Sequence, residues 1–125
     1  MPGFLVHLSA GIGLFALGSL ILKSFYDDGW NRFNVFLLLA VCIVFSIIPD
    51  FPLGLYYIFD FSTFTVLCGY HSLLHKIVSP VAILGFVFLH FKFNSKREVI
   101  WFMGVASVLI HIVMDMFIQE HGVWY

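Results

Sequence analysis

The sequence predicts an all-α, polytopic membrane protein. Its architecture is a bundle of about four transmembrane helices in a single domain, residues 1–125, with an interfacial or re-entrant segment between helices two and three. Three observations carry this. Of 125 residues, 62% are hydrophobic and only 10% charged, where soluble domains carry about 25% charge. Mean hydropathy is +1.03. Apolar runs of spanning length recur four times, each closed by polar residues or proline. A net charge of −1 offers no basic surface, so nucleic acid is excluded as a partner. Cys42 and Cys68 lack CxxC spacing, which argues against a disulfide or thiolate metal site.

The first span is expected over about Phe4 to Leu22. It has no basic leader region or small-x-small cleavage site, so it reads as a mature helix. Its Ser9, Ala10, Gly11, Gly13, Gly18 and Ser19 let a neighbouring backbone come close. Asp27-Asp28-Gly29 reads as a turn, and Trp30 as an interface anchor. The second span is expected over about Phe33 to Ile48. Pro49 and Pro52 stop it, because proline cannot continue the helix ladder. Residues 51–70 are aromatic but interrupted by Gly54 and Asp60, and read as the interfacial or re-entrant segment. The third span is expected over about Ile77 to Phe93, preceded by His71-Ser72-Leu73-Leu74-His75-Lys76, with Pro80 in its first turn. The fourth is expected over about Val99 to Ile118.

Four spans place the first and third loops on one side, with Lys23, Arg32, Lys92, Lys96 and Arg97. Lys76 alone lies on the other. The positive-inside rule makes the first side cytoplasmic, so both termini and the second loop face outward.

The titratable residues then sort to one side. His7 begins span one and Asp50 ends span two. His71 and His75, at i and i+4, precede span three. His111 and Asp115, also i and i+4, share one face of the outer half of span four. His121 follows that span. His90 alone falls on the cytoplasmic side, beside Lys92, as an interface residue. Ionisable groups inside a membrane are costly, so a sorted set is a functional hypothesis. Imidazole and carboxylate without cysteine suit zinc or a similar divalent ion, and the ion offsets the burial of the acids. His111 and Asp115 supply two ligands. Asp50 and His71 or His75 bring four, and His7 can help hold a second ion with Asp115 bridging.

The order of His7, Ile48-Pro49-Asp50, His71-Ser72-Leu73-Leu74, His111-x-x-x-Asp115 and Gly122-Val123 resembles the LexA-regulated, membrane-bound metal-dependent hydrolase family. That family looks related to zinc-dependent phospholipase C and the fungal single-strand nucleases. The resemblance implies a helical bundle with Asp50, His71, His111 and Asp115 on one zinc, and His7 sharing Asp115 with a second. Similarity to the phospholipases makes Asp50 the candidate general base, since a carboxylate beside an acidified water can take its proton. His121 stands where a further zinc site of that superfamily begins. The chain departs from the family at Phe51 and Pro52, where a second acid is common, and at Val66, where an additional histidine is.

The expected function is a membrane-embedded hydrolase with one or two zinc ions, acting on a lipid or lipid-linked phosphoester. The expected location is the outer leaflet of a bacterial or archaeal cytoplasmic membrane, where membrane lipid is the partner. Two alternatives use the same residues. One is a non-enzymatic subunit with a structural metal site or ion path. The other is a b-type haem protein with paired helical histidines.

Overall fold

The computed structural model describes residues 4–25, 30–52, 54, 64–92 and 97–117. Every secondary-structure element among them is helical. Helix α1 spans Phe4–Phe25 and α2 Arg32–Ile47, the latter running into a 3-10 turn, Ile48–Asp50. Helix α3, Phe64–Leu73, passes through a π-turn, Leu74–Val78, into α4, Ser79–Lys92. Helix α5 covers Glu98–Phe117. Four segments are long and apolar enough to cross a membrane: Leu5–Phe25, Arg32–Asp50, Gly69–Lys92 and Glu98–Phe117. This is the make-up of an integral membrane protein.

The bundle is organised around α5, which packs against α1, α2 and α4. Its buried face runs from Val99 through Ile100, Met103, Gly104, Ser107 and Val108 to His111, the three-and-four spacing of one helical stripe. Elsewhere the helices present large exposed side chains such as Phe36, Leu84, Phe88 and Phe102, as a lipid-facing surface requires.

The small residues of span one divide by face. Gly11 and Gly18 are buried and Gly13 is exposed. A Cβ at Gly11 would lie 2.9 Å from both the Cys42 carbonyl oxygen and Ser46 Oγ. Glycine is required there, because α1 and α2 touch backbone to backbone. His7 sits one turn before Gly11 on the same buried face, so this contact sets how closely His7 approaches α2.

Two expectations change in the third span. Its helix begins at Phe64, well before Ile77, so His71 and His75 lie inside one continuous helical run. The later part of the segment expected to be interfacial or re-entrant, Phe64–Tyr70, belongs to that helix. Residues 55–63 lie outside the described residues. Pro80 accounts for the wide turn inside this run. Its ring clashes with the carbonyl four residues back and it has no N–H to donate. The chain widens one turn instead of stopping: the Ser79 N–H bonds the Leu74 carbonyl, five residues back. The Ser79 hydroxyl donates to the same oxygen at 3.3 Å. An α-helix drifts about 40° for every four residues. The wider turn cancels part of that drift, so His71, His75 and Ser79 stay on the inward side.

Candidate metal centre

Four helical segments converge on one end of the bundle. His7 comes from the start of α1, Asp50 from the 3-10 turn after α2, His75 from the π-turn and His111 with Asp115 from the end of α5. Lys23, Arg32, Lys92 and Arg97 belong to the opposite helix ends. The set is drawn in tightly. His7 Nε2 lies 3.0 Å from Asp50 Oδ2 and 3.2 Å from Asp115 Oδ1. His111 Nε2 lies 3.1 Å from Asp115 Oδ2 and 3.7 Å from Asp50 Oδ1. His75 Nε2 lies 3.3 Å from Asp115 Oδ2 and 3.5 Å from Asp50 Oδ1. The His7 and His111 rings stand 4.3 Å apart, and those of His75 and His111 5.0 Å apart.

The short contacts at His7 and His111 are not well-aligned hydrogen bonds. Nε2 of both residues, His7 Nδ1, Asp50 Oδ1 and both Asp115 oxygens are buried without a hydrogen-bond partner. Buried polar atoms are normally satisfied, and leaving several orphaned at one point is costly. Tetrahedral zinc with bonds of about 2.0–2.1 Å sets its ligand atoms about 3.4 Å from one another. The observed separations bracket that value. His7, Asp50, His111 and Asp115 each offer an atom within 4.8 Å of the others, and Asp50, His71 and His75 form a second such group. These buried groups could hold a metal ion.

The surroundings fix which nitrogen two of the imidazoles offer, those of His111 and His71. The Ser46 carbonyl can only accept, so His111 Nδ1–H donates to it at 2.8 Å and the lone pair is on Nε2, facing the carboxylates. The Pro49 carbonyl likewise takes Nδ1–H of His71 at 3.2 Å. These carbonyls are supplied by the end of α2. Ser46 lies in its last turn, where carbonyls lose their helical partners. Pro52, three residues after Pro49, has no N–H to return. Metal-ligating histidines are commonly oriented by just such a carbonyl.

Burial grades the set. Side chains of His7, His71 and His111 are at most 1% exposed and Asp115 6%, whereas Asp50 is 15% and His75 16% exposed. Asp50 and His75 are thus the least buried members of the set.

Of the residues expected from sequence, the structure brings together His7, Asp50, His111 and Asp115, with His7 where the family resemblance places His71. His71 is adjacent, its Nδ1 3.5 Å from Asp50 Oδ1. His75, expected as an alternative to His71 or as an additional, outer residue, lies against both carboxylates. Its signal was the i, i+4 spacing from His71; the wide turn that brings it in is not set by that spacing. His121 lies outside the described residues. His90 is at the other end of the bundle, half-buried beside Glu98 in a shallow apolar cleft. No family model, curated protein or solved structure matches the chain.

Proposed function

We propose that this chain is a membrane-embedded, zinc-dependent hydrolase that cleaves a phosphoester of a lipid or lipid-linked substrate at the outer leaflet. One observation carries the reading. Buried imidazole and carboxylate atoms from α1, the end of α2 and α5 meet without hydrogen-bond partners, at separations that suit ligands of one ion. Zinc bound there supplies a Lewis acid and brings water's pKa towards about 7. His7, His111 and Asp115 would hold the ion. Asp50, beside them, would take the proton from the water that the ion acidifies. Three protein ligands leave the fourth position of the ion open to water, where a purely structural zinc site is closed by its four protein ligands. The positive-inside asymmetry supports an outward-facing centre. The motif order shared with the LexA-regulated metal-dependent hydrolase family supports hydrolysis.

A structural metal clip or ion path is the second reading, favoured by the deep burial of three of the imidazoles. The haem reading is not favoured, because Asp50 and Asp115 lie against the imidazole nitrogens where the macrocycle would have to sit. Metal analysis of purified protein, with turnover of a fluorogenic phosphodiester lipid, tests the proposal. Bound zinc, and turnover abolished in His111→Ala and Asp115→Ala, are expected. Folded wild-type protein that takes up no metal overturns the proposal. Zinc without turnover of any phosphoester lipid leaves the structural clip.

A further inference from the structure

We infer that Lys76 holds the phosphate group of a membrane phospholipid against the helix that carries His71 and His75, with or without an ion in the cluster. Depth sets Lys76 apart. The other basic residues described sit at or beside the ends of their spans: Lys23 near the end of Leu5–Phe25, Arg32 at the start of Arg32–Asp50, Lys92 at the end of Gly69–Lys92 and Arg97 just before Glu98–Phe117. Lys76 lies about two turns inside Gly69–Lys92, roughly 10 Å below its end.

The position faces lipid. Lys76 is exposed, and so are the apolar residues Leu73, Ile77 and Pro80 around it. No carboxylate among the described residues pairs with it. Asp50 and Asp115 lie against the imidazoles, and Glu98 begins α5 at the other end of the bundle. An ammonium on a lipid-facing surface is costly in hydrocarbon. Helical side chains lean towards the N-terminus of their helix. The four-carbon stem of Lys76 therefore runs back over apolar surface towards Gly69 and lifts the charge to headgroup level. The anion that a bilayer offers there is lipid phosphate.

The seat is single. Among the described residues, Lys76 is the one lysine or arginine at this end of the bundle. It adjoins His75, one of the least buried members of the metal centre, so the phospholipid is kept beside the cluster.

A reporter next to Lys76 tests this. Leu73→Trp puts a fluorophore three residues away, on the adjacent turn of the same exposed side. Protein in phosphatidylcholine bilayers is titrated with acyl-brominated phosphatidylglycerol or acyl-brominated diacylglycerol, which share their chains and differ in the phosphate headgroup. Quenching measured without Leu73→Trp subtracts the signal of Trp30, Trp101 and Trp124. A preference of about five-fold for phosphatidylglycerol is expected, the effect of one cation near an anionic headgroup. Adding Lys76→Met should bring it to about unity, and Lys76→Arg should keep it, with helicity by circular dichroism unchanged in both. A preference that Lys76→Met leaves intact overturns the inference. So does one abolished by excess inorganic phosphate, which marks a site for the free anion. Chelator-treated and zinc-loaded protein should give the same preference. One that requires zinc and survives Lys76→Met belongs to the centre and overturns the lysine site, whereas protein that takes up no metal yet keeps the Lys76-dependent preference overturns only the metal-centre reading.

Discussion

Gly11 links helix packing to the geometry of the centre, and Gly11→Ala measures that link. The added Cβ would stand 2.9 Å from the Cys42 carbonyl oxygen, where ordinary contact begins at 3.4 Å, so α2 must retreat by 3.4 − 2.9 = 0.5 Å. Neither obstacle can turn aside. One is backbone. The other, Ser46 Oγ, is held by its own bond to that same carbonyl at 2.6 Å. Overpacking of this kind costs about 1–3 kcal/mol. Gly13→Ala is the control, since a Cβ there meets nothing within 4 Å. Both variants gain the same helix propensity, at most about 1 kcal/mol, so their difference isolates the packing cost. The retreat also moves Ser46, whose carbonyl orients His111. Disturbing such an orienting partner weakens metal binding about 10–100-fold. Thermal unfolding in micelles and competitive zinc titration read the two effects. Gly11→Ala matching Gly13→Ala in both would refute the reasoning.

Three further outcomes are expected. Chelation should lower the unfolding temperature of the wild type, because an ion bound only to the folded state contributes about 2.7 kcal/mol at one hundred times its Kd; the response should vanish in His111→Ala, and an unchanged wild-type midpoint would contradict a metal-filled centre. Pro80→Ala restores an N–H and lets the chain return to the α ladder, so His75 should swing out of the centre and zinc affinity should fall while helicity by circular dichroism stays constant. Asn31→Ala removes the cap that accepts the Asn34 N–H at 2.9 Å; unfolding should be easier by about 0.5–2 kcal/mol, with zinc affinity unchanged because this cap lies at the far end of α2.

What the sequence settled by itself was whatever depends on local composition and period. Four apolar stretches demand helices in a membrane, because only internally bonded backbone is tolerated there. All the basic residues but Lys76 fall at the helix ends opposite the His/Asp set by their positions along the spans alone. His111 and Asp115 share a face because four residues make about one turn. Pro80 was visible as well, but its effect was not. A proline in a helix can end it, kink it or widen it, and which occurs depends on the packing around it. Here Ser79 is buried and satisfies the widened turn, so the third span runs on upstream through His75 and His71. Tertiary structure alone decided the membership of the centre. Whether His7 or His71 stands with Asp50, His111 and Asp115 depends on how near α1 comes to α2. That distance is set by the absence of a side chain at Gly11 against a carbonyl thirty-one residues away in the sequence. The tautomer of His111 is likewise fixed by the Ser46 carbonyl at the end of α2, a partner no local pattern identifies.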